Sequence, residues 1–121
     1  MRYVQNTKAM GEMNFLFIQE GKHIVGVCLE FNIIEEGTNL EEVKKHLETA
    51  TRLHLEAVQE NNLSDDLLNR HAPTEYWEIF EETKKSAQRK QLVDAHKRRR
   101  LLTASFNPYE RKLNPQVAFE K

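Results

Sequence analysis

Val27–Leu47, VCLEFNIIEEGTNLEEVKKHL, decides the fold because its hydrophobic period changes halfway along. Up to Glu36 it reads as strand, rich in β-branched and aromatic residues. From Thr38 it reads as the capped start of a helix. Gly37-Thr38-Asn39-Leu40-Glu41 is the junction. Thr38 is the expected N-cap, with Glu41 three residues on. In such a capping box each side chain satisfies a free backbone N–H. Beyond it Leu40, Val43, Leu47, Ala50, His54, Ala57 and Val58 form an apolar stripe interrupted only by His54. The helix is expected to end near Asn61-Asn62.

Upstream, Met13 to Gln19 is a short apolar run, and Glu20-Gly21-Lys22 supplies a turn with Gly free to take a positive φ. His23 to Asn32 is a second run. Two runs around a Gly turn predict a β-hairpin. In the second run Ile24, Gly26, Cys28 and Glu30 share one face; Val25, Val27, Leu29 and Phe31 share the other. The second set is bulkier and is expected to meet the helix. Ile33 to Glu36 predicts a third strand. Residues 1–12 carry no clear pattern and are expected to form an N-terminal arm, with Met10 and Met13 as alternative starts.

Downstream, Ser64 to Asn69 predicts one short helical turn, and Ala72-Pro73-Thr74 is a break. From Glu75 to Leu102 there is no Gly or Pro, and strong helix formers dominate. One long helix is therefore expected. Tyr76, Trp77, Ile79 and Phe80 would dock its first half, while its second half projects. Ser105 to Lys121 contains Asn107-Pro108 and Asn114-Pro115, which disfavour helix and predict an extended tail. Phe106, Tyr109, Leu113, Val117 and Phe119 are its apolar anchors and the expected protein-partner contacts. The fold class read from these elements is α+β: a small antiparallel sheet of three to four strands packed on one long helix. The expected organisation is an arm (1–12), an α+β domain (13–72), a basic helical extension (73–103) and a tail (104–121).

The charge distribution sets the surface properties. A net charge of -1 conceals two opposed segments. Residues 35–82 hold thirteen acids against four Lys or Arg, while residues 83–112 hold ten Lys or Arg against two acids. The basic set is Lys84, Lys85, Arg89, Lys90, Lys97, Arg98, Arg99 and Arg100. On a helix, Lys97 to Arg100 would fan around the circumference as a collar, suited to phosphate contact more than to base readout. The competing account pairs this segment with the acidic part of the same chain or of a second copy. No apolar stretch approaches the roughly 20 residues of a membrane span. The N-terminus lacks the charged-then-apolar pattern of a signal peptide. A single cysteine, Cys28, excludes an internal disulfide. The cytoplasm is the expected compartment.

Reaction chemistry finds little purchase. His46 and His54 are eight residues apart, whereas helical metal pairs need three or four. His54 on the apolar stripe reads as a packing residue. Cys28 reads as a small buried hydrophobe, since a nucleophile would need a paired base. Adjacent acids such as Glu41-Glu42 and Asp65-Asp66 do not face each other and read as solvated surface. The expectation is a non-enzyme with no cofactor, metal or catalytic residue.

The order of hairpin, third strand and capped helix resembles the N-terminal domain of HicB-type antitoxins. The positions that carry it are Val27 to Glu30, Glu36-Gly37-Thr38 and Leu40-Glu41-Glu42-Val43, within residues 13–60. The family often adds a C-terminal helix-turn-helix or ribbon-helix-helix DNA reader, and neither is legible beyond Thr74. It also commonly has a Pro and a Gly between the second and third strands, where this chain has Glu30-Phe31-Asn32. The resemblance implies an antitoxin of a toxin–antitoxin system, or an orphan relative, that neutralises a small HicA-like toxin by protein binding. A homodimer or larger oligomer is expected separately, because a small sheet leaves edge strands to cover and the charge halves are complementary, and DNA or RNA contact is expected from the basic charge of residues 83–112. The alternative is a self-assembling structural or adaptor module with no toxin partner.

Overall fold

The computed structural model describes residues 5–87, 93–94 and 99–109. In chain order the elements are β1 (Met13–Glu20), β2 (His23–Cys28), β3 (Ile33–Gly37), α1 (Leu40–Glu60), a 3-10 turn (Asp65–Leu68), α2 (Thr74–Ala87), β4 (Val93–Asp94) and β5 (Arg99–Phe106). The class is α+β, as expected. Four full strands and the two-residue β4 make one antiparallel sheet in the order β3-β2-β1-β5-β4. No helix among the described residues is long and apolar enough to cross a membrane.

The hairpin is set by Gly21. The pair Glu20↔His23 closes a two-residue loop, and Gly21 stands at its first central position with φ 58°. That is a conformation a side chain resists. A second turn, closed by Asn32 N–H donating to the Cys28 carbonyl at 2.9 Å, leads into β3, with Asn32 itself at φ 59°.

The helix cap falls one residue later than Thr38. Asn39 is the N-cap, extended at φ -124° and ψ 118°, and its Oδ1 accepts the N–H of Glu42 at 3.0 Å. The reason is that β3 runs on through Gly37. The last extended residue before the helix is then Asn39, whose side chain caps as well as threonine. At the other end Asn62 takes φ 49°, and Leu63 N–H donates to the Val58 carbonyl at 2.9 Å. This is a Schellman stop with Asn in the left-handed position. The buried stripe of α1 is Val43, Leu47, Thr51, Leu55 and Val58. Ala57, expected on the stripe, is exposed, and Leu40, Ala50 and His54 lie at its border.

Both faces of the sheet are covered. Met13, Phe15 and Phe17 of β1 and Ile24 and Cys28 of β2 pack under α1 with Val43, Leu47, Leu55 and Val58. Val27 and Leu29 pack instead with Ala72, Trp77 and Phe80, under α2. The face of β2 expected to meet the long helix is thus the one that meets α2. Backbone approach explains the exchange. A Cβ on Gly26 would lie 3.0 Å from Val43 Cγ1 and 2.9 Å from Phe17 Cε1, and one on Gly37 would lie 2.9 Å from Val43 Cγ2. The helix settles closest to the sheet where side chains are absent, and the bulkier Val25, Val27 and Leu29 are left for the second layer.

The long C-terminal helix is shorter than its propensity suggests. The described helix ends at Ala87, and Arg99–Phe106, expected partly as helix and partly as tail, is strand. β5 pairs with β1 along its whole length, from Met13↔Phe106 to Glu20↔Arg99. Leu, Ala and Arg favour helix, but intrinsic propensity amounts to only tenths of a kcal/mol per residue, and a full ladder against a central strand outweighs it. The N-terminal arm is likewise tied down over residues 5–12. Asn6 is fully buried, and its side chain donates to the Leu68 carbonyl at 3.1 Å and accepts the Glu12 N–H at 2.9 Å.

Candidate functional site

The four described residues of the basic set do not share one helix. Lys84 and Lys85 are exposed in the last turn of α2, and Lys84 Nζ stands 5.4 Å from the Phe80 ring centroid. Arg99 and Arg100 open β5, opposite Glu20 and Gln19. Successive strand residues point to opposite faces, so these two arginines diverge. The expected fan required a helix, and the ladder with β1 removes it. Arg89, Lys90, Lys97 and Arg98 lie outside the described residues.

Two of the five expected partner contacts are used inside the molecule. Phe106 stacks on Phe15 with centroids 5.5 Å apart, and the Arg52 guanidinium lies 5.2 Å from the Phe106 centroid. Tyr109 packs on the same core, and its hydroxyl donates to the Thr7 carbonyl at 2.9 Å. Burial pushes that hydroxyl up to about 12, helped by the charges of Asp65 and Glu30. They are internal anchors because β5 brings them back to the sheet. Leu113, Val117 and Phe119 lie outside the described residues.

The titratable candidates fall into place as packing residues. His54 Nε2 lies 2.6 Å from the Leu67 carbonyl, and its ring tilts against Phe31. Burial pushes the Cys28 thiol up to about 12, with Met13 Sδ at 3.9 Å. A thiol held neutral in this way is a poor nucleophile. No cluster of three metal-ligating side chains occurs among the described residues.

Two features escaped the sequence. The first is Glu30, a carboxylate 1% exposed. Its Oε1 accepts the Asn14 backbone N–H and its Oε2 accepts Asn14 Nδ2, both at 2.7 Å. The same Asn14 Nδ2 donates to Glu12 Oε2 at 3.1 Å. Burial pushes the Glu30 carboxyl up to about 7, against the pull of those hydrogen bonds, with a smaller upward push from Glu12. The available signal was its setting: an acid between Val27-Cys28-Leu29 and Phe31. The second feature is the outer edge of β3. It pairs with β2 on one side only among the described residues, and carries Glu35, Glu36 and an Ile34 that is 44% exposed. Beside α1, Leu102 is 49% exposed at a hollow lined by Phe17, Ile24, Leu40 and Arg100.

No family model matches the chain, and neither a curated protein nor a solved structure matches it.

Proposed function

We propose that the chain is a protein-binding module, a HicB-like antitoxin or an orphan relative, that neutralises a small partner by covering it. The observation that carries this reading is the β3 edge. It is a short strand whose outer backbone ladder is open among the described residues, with an exposed Ile34 and two adjacent acids. An unpaired edge recruits an extended segment of another chain through main-chain hydrogen bonds. Glu35 and Glu36 favour a basic segment in that place over a second acidic edge. The order β1, β2, β3, α1 within residues 13–60 supports the family resemblance.

Self-association belongs to the same proposal, with the exposed Leu102 and its hollow as the apolar surface a homodimer would cover. Contact with DNA or RNA would use the phosphates, through Lys84, Lys85, Arg100 and the basic residues between them. The setting is the cytoplasm, where a free buried Cys28 needs no oxidising partner.

The test is a neutralisation assay with whichever small basic protein a neighbouring gene is found to encode. That protein, expressed alone, should arrest growth, and co-expression of this chain should relieve the arrest and yield a joint peak on gel filtration. Ile34→Lys should abolish relief without changing the melting temperature. If the neighbour is harmless and the chain sediments as a homo-oligomer, the antitoxin reading fails and the self-assembling module takes its place.

A further inference from the structure

The hydrogen-bond ladder of β3 can be followed outward from the hairpin. Glu20↔His23 closes a two-residue loop, and such a loop is closed by a pair that exchanges backbone hydrogen bonds. Just beyond β2, Leu29 N–H donates to the Asn14 carbonyl at 3.0 Å, which keeps the same alternation. His23, Val25 and Val27 therefore turn their backbone groups to β1, and Ile24, Gly26 and Cys28 turn theirs to β3. The β3 partners of those three are Gly37, Glu35 and Ile33. The N–H and C=O groups of Ile34 and Glu36 then point the other way, off the sheet.

The side chains of the same two residues share a face. Ile34 stands opposite Val27 and Glu36 opposite Val25, and both valines belong to the layer under α2. α2 does not cover this pair: Ile34 is 44% exposed and the Glu36 side chain 61%. His23 Nε2 lies 3.4 Å from Glu36 Oε1 on the β2 side. An incoming strand that pairs with Ile34 and Glu36 thus meets an apolar side chain and a carboxylate on one face, one strand period apart. An aliphatic residue opposite Ile34 continues the α2-side layer that runs from Val27 to Ile34. A cation opposite Glu36 makes an opposite-charge pair, whereas a carboxylate there is repelled. A second copy's β3 fits poorly, because pairing Ile34 with the other Glu36 sets the two Glu35 residues against each other. Antiparallel addition continues the pattern of all four strand pairs among the described residues. In that direction the residue opposite Glu36 precedes the one opposite Ile34.

We propose that the β3 edge takes an extended segment of a partner protein with the order basic, any residue, aliphatic. The segment adds antiparallel, with its Lys or Arg opposite Glu36 and its Ile, Leu or Val opposite Ile34. Resting on the assignment of this edge as the partner site, the code adds the direction and the sequence that the partner must carry.

Two capped peptides titrated against the full chain by NMR test it: Thr-Lys-Thr-Ile-Thr and the reversed Thr-Ile-Thr-Lys-Thr. In the chain alone, the amides of Glu35 and Gly37 should resist hydrogen exchange and those of Ile34 and Glu36 should not. The first peptide should shift and protect the Ile34 and Glu36 amides. The reversed peptide should bind about five-fold or more weakly, since it forfeits both cross-strand pairs. Glu36→Lys should prefer capped Thr-Glu-Thr-Ile-Thr to the Lys peptide. The code is overturned by equal binding of the two orders, by no binding of either at millimolar concentration, or by a charge preference that Glu36→Lys leaves unmoved. Ile34 and Glu36 amides already protected in the chain alone overturn it as well, since the edge is then filled. None of these readouts needs a toxin. Ordered, charge-reversible peptide binding in a chain that neutralises nothing would remove the antitoxin reading and keep the code; neutralisation without any order preference would do the opposite.

Discussion

At the scale of single residues, Asn39 and Glu30 carry the sharpest consequences. Asn39, not Thr38, satisfies a helix N–H, so Asn39→Ala should cost about 1 kcal/mol and Thr38→Ala a few tenths. Urea midpoints for the two variants give the order directly, and the reverse order would restore the cap to Thr38. Glu30 makes stability depend on pH. Its folded pKa of about 7 lies above its ordinary value of 4.5. The protonated form is therefore bound more tightly by the folded chain. Its contribution is fully present below about pH 4.5 and is lost as pH rises through about 7, then stays lost. The loss is on the order of 3 kcal/mol, from the linkage factor per pH unit. Chemical denaturation across that range should show the decline in the native chain and remove it in Glu30→Gln. The capped helix was legible in the sequence to within one residue, because helix caps depend on local spacing. Glu30 was not, because parity along a strand assigns faces only while the strand lasts. β2 ends at Cys28, and the chain turns before Glu30.

At the scale of elements, the fit of α1 against the hairpin depends on two missing side chains. Gly26 lets Val43 and Phe17 approach the β2 backbone, with no room for a Cβ at 2.9 to 3.0 Å from them. Gly26→Ala should therefore destabilise the chain by about 1–3 kcal/mol through overpacking. Thermal unfolding checks it, and Gly21→Ala separates the two causes. At Gly21 nothing lies within 4 Å of an added Cβ, so only the positive φ is strained. The hairpin and α1 were legible because their periods are local. Their mutual facing was not, because it depends on which side of β2 the backbone can be approached.

At the scale of the whole molecule, the described members of the basic set divide between α2 and β5. If the proposed phosphate contact holds, binding to unrelated duplexes should fall steeply with salt and vary little with sequence. Replacing Lys84, Lys85 and Arg100 with Gln should weaken it by about the same factor for every duplex and lower the salt slope. Mobility-shift titrations at two salt concentrations measure both. No shift at low salt, with an altered melting temperature in the variant, would assign the basic charge to internal pairing instead.

What the sequence by itself determined is the first half of the order of elements: hairpin, third strand, junction and long amphipathic helix. Each rests on contacts between residues close in the chain, so periodicity and turn chemistry suffice. Only the tertiary structure decided the rest. Arg99–Leu102 favours helix by local propensity, and Arg99–Phe106 becomes strand because β1 has a second edge to fill. That pairing packs Phe106 and Tyr109 against the core, splits Arg99 from Arg100, and brings the Tyr109 hydroxyl to the Thr7 carbonyl. A contact between the two ends of the chain leaves no local signature, because the free energy that selects it comes from the shared ladder and core.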